Sequence, residues 1–225
     1  MTRLLAVLLL LCTLVACRDD RVTLRRGPIG PAEYDVRTKV GGSSALGREA
    51  LDAVLRVTDS DYGATLRLEV GDGPAIVAEL VRDSTGKLAL DTVQGVSPRS
   101  AGEADLASIV QQLDPPLAPR PVRLRERWSS TRRIDTETIT ARLTSRLRIS
   151  RFVRSGGHDA AELVGIVSGT LNTTGPSGTF AGRVSGRTTI AWQLEPGRVG
   201  SSHTSLTWTI RDVGRVVLQT SVTPA

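Results

Sequence analysis

Few side chains in this sequence stand where their spacing could support chemistry. Ser84-Thr85-Gly86-Lys87 sets a serine three positions before a lysine. At a helix start, that separation lets the amine reach the hydroxyl proton. Here the surrounding residues, Arg82-Asp83-Ser84-Thr85-Gly86, read as a hairpin turn instead. Asp59-x-Asp61-x-Gly63 has the opening of a calcium loop, which needs a two-oxygen glutamate at its twelfth position. Val70 occupies that place, so this stretch too reads as a turn. His158 and His203 both read as sitting in Gly/Ser-rich turns, with no cysteine or carboxylate cluster beside them, and zinc ligation is not expected. The expectation is a chain with no catalytic residue, no metal site and no cofactor, and so not an enzyme.

One thiol is different. The chain has two cysteines, Cys12 and Cys17. Arg3 precedes an aliphatic run, Leu4 to Val15, that is too short to span a bilayer and fits the h-region of a removable leader. Cleavage after Ala16 would discard Cys12 and leave Cys17 without a disulfide partner. An odd cysteine in an exported chain calls for an explanation.

Leu14-Val15-Ala16-Cys17 resembles the lipobox of bacterial lipoproteins. That resemblance implies a signal peptide over 1–16, cleavage before Cys17, and a lipid on its sulfur with palmitate-type acyl chains. Each buried CH₂ adds about 0.8 kcal/mol of membrane affinity. The implied localisation is extracytoplasmic and lipid-anchored. Arg18, where an aspartate would signal retention, implies the outer membrane of a two-membrane cell. In a cell without that sorting, it implies the outer leaf of the cytoplasmic membrane.

Composition sets bounds on the remainder. The 225 residues carry a net charge of +6, and Lys39 and Lys87 are the only lysines. A basic balance favours acidic surfaces such as anionic headgroups. Nucleic acid is not an expected partner, because no aromatic residues interleave with the basic ones as stacking platforms. Residues 17–32 read as a flexible tether, charged and then broken by Gly27-Pro28-Ile29-Gly30-Pro31, with a reach on the order of 20 Å. Residues 33–225 then form a β-rich domain.

Period-two alternation predicts the strands of that domain. Tyr34, Val36, Thr38 and Val40 share one face; so do Leu66, Leu68 and Val70. Ala161–Leu171 is apolar on both faces and reads as a central strand. Glu195-Pro196-Gly197-Arg198 reads as a type II turn. The period changes once: Leu106, Ile109, Val110 and Leu113 fall on one helical face, with a Ser100/Glu103 capping box and Pro115-Pro116 behind. The expected fold is mainly β. It is an antiparallel meander, a curved sheet or half-barrel, in two halves (33–99 and 122–225). Helix 101–113 and a proline-rich connector, 114–121, join them. The halves read as a weak internal repeat.

Along residues 139–149, Ile139, Ala141, Leu143, Leu147 and Ile149 take one face and Arg142, Arg146 and Arg148 the other. The arginine row is the candidate contact for anionic lipid or wall polymer. The aliphatic face and the helix could together cup a lipid. The plan resembles β-rich bacterial surface lipoproteins and, more distantly, half-barrel carriers of lipids or lipoproteins. The leading expectation is a non-enzymatic binding protein for a lipid or anionic envelope component; the alternatives are a scaffold docking another envelope protein and, last, a hydrolase whose site is assembled from distant residues. Oligomeric state is not encoded in these patterns.

Overall fold

The computed structural model describes residues 21–42, 49–60, 63–71, 74–82, 87–95, 109–135, 139–175, 178–211 and 214–225. The leader, Cys17, Asp61, Ser84 and the first part of the expected helix lie outside the described residues.

Alternation produces strands wherever the sequence shows it. The first meander is β1 (Ala32–Gly42), β2 (Glu49–Ser60), β3 (Gly63–Glu69), β4 (Ile76–Arg82) and β5 (Leu88–Gln94). The second is β6 (Arg127–Asp135), β7 (Ile139–Ser155), β8 (His158–Gly175), β9 (Gly178–Gln193), β10 (Arg198–Ile210) and β11 (Gly214–Pro224). All join one antiparallel sheet in the order β5-β4-β3-β2-β1-β11-β10-β9-β8-β7-β6. The two halves are therefore one continuous sheet, fused where β1 pairs with β11, Val36 opposite Val222. Strands of the second meander run to 18 residues in β8, against 12 at most in the first.

One face of this sheet is buried and the other is wet. On β1, Tyr34, Val36 and Thr38 are buried while Glu33, Arg37 and Lys39 are exposed. The buried face curls around its own contents. Gly165, Gly169 and Gly186 point inward from β8 and β9. A Cβ at Gly169 would collide with the Arg142 carbonyl oxygen, and one at Gly186 with that of Ser205. Glycine there lets neighbouring backbones close up and the sheet bend.

The helix fills the hollow. Residues 109–113 (α1) are helical, and Ile109, Val110 and Leu113 pack among Leu55, Leu66, Leu80 and Leu88. Full burial of each such side chain contributes about 1.5–3 kcal/mol. A second cluster gathers Leu117, Ala118 and Val122 of the connector against Trp128, Leu163 and Trp192. Among the described residues no helix is long and apolar enough to cross a membrane.

Three expectations need correction. The stretch expected as a tether is packed from Arg21 onward. Val22 and Val122 exchange backbone hydrogen bonds, and Leu24 and Ile29 are buried. Isolated apolar residues between charges gave no periodic signal, yet each finds a slot across the sheet's end. Strand β8 is not buried on both faces. Among the described residues its outward Ile166 is left 48% exposed. The turn at 195–198 has a cis Glu195–Pro196 bond rather than the trans bond of a type II turn. Gly197 does take the left-handed φ of 78° expected of a glycine there.

The Tyr34 hydroxyl crosses the interior to donate to the Val199 carbonyl oxygen, at 3.0 Å. Burial pushes this phenol above its ordinary value of 10.0, with the Arg198 charge opposing. The neutral form is thus favoured by folding. That stability is complete below pH about 10 and is lost as pH rises from there toward the folded-state value. Tyr34→Phe is expected to cost about 1 kcal/mol at neutral pH and to flatten the alkaline decline. Denaturant unfolding of both proteins across the alkaline range checks it.

Candidate functional site

The candidates for catalysis are dispersed or otherwise engaged. Both Asp59 carboxylate oxygens accept backbone N–H groups, from Ile29 and Gly30, each at 3.1 Å. Asp59 therefore clamps the N-terminal segment to the end of β2. His158 sits exposed at the β7–β8 hairpin, whereas His203 is not in the expected turn but mid-strand on the outer face of β10, where Ser201 and Ser202 pair with β9 instead of breaking the strand. His203 Nδ1 and Ser221 Oγ are 2.9 Å apart. Among the described residues no hydrogen-bonded carboxylate orients that ring, as the third member of a hydrolytic triad would. A broad, open depression of about 720 Å³ lies nearby over β1, β2 and β11. Its Asp52 is engaged by Arg37 at 2.5 Å. Among the described residues no group of three His, Cys, Asp or Glu side chains could hold a metal.

The hollow of the sheet leaves little space. Beside α1, between Leu143, Val167, Ile190 and Thr204, about 50 Å³ remains. That is room for a water or two, far below the roughly 300 Å³ at which ligand pockets begin. Its lining is partly polar: Ser202 Oγ donates to Gln112 Oε1 at 2.7 Å, and the hydroxyls of Thr188 and Thr204 are 2.8 Å apart. Among the described residues, the aliphatic face and the helix pack as a core beside this void.

The outer face is where charge accumulates, and its make-up changes along the sheet; away from the Arg151–Glu162 pair at 2.8 Å, the second meander is dominated by arginine. Over the first meander, charges are paired. Arg56 reaches Glu33 at 3.1 Å and Glu69 at 2.5 Å, and Arg67 reaches Glu69 at 2.8 Å. Arg67 and Arg56 together hold the Glu69 carboxyl below the usual carboxylate range.

Over the second meander the pattern changes. Arg142 and Arg146 project outward from β7 and are exposed; Arg148, two residues on, is half-buried. Strand pairing brings further arginines to them. Arg127 on β6 is opposite Arg148. Ile166 on β8 lies between Arg146 and Arg187, and Thr170 between Arg142 and Arg183. None of the outward residues over 127–133, 142–148, 164–172 and 181–189 is Asp or Glu. The sequence-predicted row is thus one edge of a wider field, which Arg127, Arg183 and Arg187 extend. Arg183 and Arg187 stand four apart, flanking the buried Val184 and Thr188 that mark the inward face. That spacing was a signal available in the sequence.

Such a field cannot act as a general base, since guanidinium groups stay protonated. It can bind. Arginine presents forked donors that match phosphate and carboxylate oxygens two at a time. Ile166 adds an apolar contact at its centre.

No protein-family model matches this chain, and no curated protein does. Two solved structures are similar to it. One is the hypothetical lipoprotein YmcC from Escherichia coli (K12), 12% identical, with a TM-score of 0.33 over 89% of this chain and 92% of that one. The other is a "putative outer membrane lipoprotein-sorting protein domain" from Vibrio parahaemolyticus. It is 10% identical, with a TM-score of 0.24 over 87% and 84% of the two chains. At these TM-scores neither likeness bears on the site.

Proposed function

We propose that this chain is an extracytoplasmic lipoprotein, anchored through Cys17, that binds an anionic envelope polymer on the arginine face of β6–β9. The anchor rests on the lipobox pattern of Leu14-Val15-Ala16-Cys17. The binding role rests on one observation. Arg127, Arg142, Arg146, Arg148, Arg183 and Arg187 share a face whose outward residues between them include no carboxylate. Self-repulsion among like charges is tolerated at a cost to the fold, and a phosphate-bearing or carboxylate-bearing polymer would relieve it. A lipid held inside the sheet is disfavoured by the small void beside α1. The forked guanidinium donors of the field support a binding role.

Poly(glycerol phosphate) is a suitable probe. Changing Arg142, Arg146 and Arg148 together to glutamine is expected to weaken its binding by about 3 kcal/mol, at about 1 kcal/mol per cation. That is on the order of a hundredfold. Arg67→Gln, on the paired half of the face, is the control and should leave binding unchanged. Equal losses in the two variants, or binding indifferent to salt, would reject the proposal.

A further inference from the structure

The packed N-terminal segment determines which end of the domain meets the membrane. Val22 lies against Val122, at the end of the sheet that also carries the β7–β8 and β9–β10 hairpins. From Cys17 to Val22 the chain takes five steps. Even fully extended, these span at most about 18 Å. Resting on the anchored-lipoprotein reading above, we infer that this end of the domain sits on the membrane surface. Its exposed apolar tips, Leu124 and Phe152, would enter the headgroup region, and its arginines would contact lipid phosphates.

The tips are built features. Leu124 is 45% exposed and Phe152 49%. Leu124 is held in a closed turn, with the Glu126 N–H donating to the Arg123 carbonyl and the Arg123 N–H to Glu126 Oε2 at 3.0 Å. Arg125 beside it takes a left-handed φ of 67°, a conformation that costs a non-glycine residue about 1 kcal/mol or more. Its N–H is fixed to the Ile149 carbonyl at 2.9 Å. That bond places the turn three residues before Phe152, on the part of β7 that extends past β6. The chain thus accepts strain to hold a large apolar side chain in water.

The surroundings are mainly cationic, with arginines outnumbering the carboxylates Glu126, Asp159 and Glu195 at this end. Arg25 and Arg125 are exposed, and Arg21, Arg123 and Arg154 stand at the same end. Apolar side chains ringed by arginine fit an interface with an apolar layer beneath anionic oxygens. A purely aqueous polymer would not use the apolar tips. In this pose the strands stand away from the bilayer, and the arginine face of β6–β9 is presented to the envelope space.

The test uses the full lipidated protein in vesicles of phosphatidylethanolamine and phosphatidylglycerol containing a nitroxide-labelled lipid. Leu124→Cys, Phe152→Cys and, at the opposite end, Thr174→Cys each carry a thiol-linked fluorophore. Strong quenching at 124 and 152, with little at 174, is the expected result. If the protein floats with the vesicles but 124 and 152 are unquenched, the orientation is wrong while the anchor stands. Equal quenching at all three positions also overturns it. If the protein does not float with the vesicles, the anchor reading fails, and the orientation with it.

Discussion

Asp114→Ala is expected to destabilise the domain by about 3–5 kcal/mol, the usual scale for removing one partner of a buried ion pair. The Asp114 side chain is only 3% exposed. Its Oδ1 accepts from Arg26 Nε at 2.6 Å, and its Oδ2 from the Leu88 backbone N–H at 2.9 Å. Leu88 begins β5, the outer strand of the first meander. Its carbonyl is taken by the Arg132 guanidinium, from the outer strand of the second. Asp114 and Arg132 therefore satisfy the two backbone groups that the next strand would satisfy in a closed barrel, and in doing so they hold the sheet's two edges together. Alanine would strand the Leu88 N–H and leave Arg26 without its carboxylate. Asp114→Asn keeps an acceptor and should lose roughly half as much, since it removes the charge assistance but not every bond. Urea unfolding measures both. A loss below about 1 kcal/mol for alanine, within the range of an ordinary surface change, would mean the clasp is dispensable.

Cys17→Ala should have the largest effect in the cell. Without the sulfur there is no site for the acyl chains, and two such chains are what separates stable from transient membrane residence. The variant should leave the membrane fraction, or remain there unprocessed with its leader and migrate more slowly. Fractionation and migration matching the wild type would remove the lipid anchor from the account.

The strands were legible because a one-sided sheet writes itself as alternation. Leu66 and Leu68 are buried beside an exposed Arg67, and Leu143 and Leu147 beside the exposed Arg142 and Arg146. The helix announced itself by its change of period at Ile109, Val110 and Leu113. What stayed hidden depends on long-range pairing. No local pattern tells β1 that its second neighbour is β11. Leu24 and Ile29 looked like stray apolar residues in a charged linker, since one residue at a time carries no period. Asp114 looked like part of a proline-rich connector, and Asp59 like a turn residue or a metal ligand; each is engaged by backbone N–H groups far away in sequence. The arginine field was half visible. The β7 row could be read directly, whereas the assignment of Arg183 and Arg187 to the same surface required the register of β8 and β9.

The strand order also governs how this chain can be made. The first and last strands are neighbours in the middle of the sheet, with Tyr34 opposite Pro224. While β11 is unsynthesised, β1 and β10 each have an open edge. Such edges invite pairing with another chain, and the contact that covers them closes the largest loop in the domain, which is slow. The central seam can form only after the last residues arrive. A chain with this order must be kept apart from its own copies until β11 is free to pair, so the sheet closes last at its centre rather than at its rim.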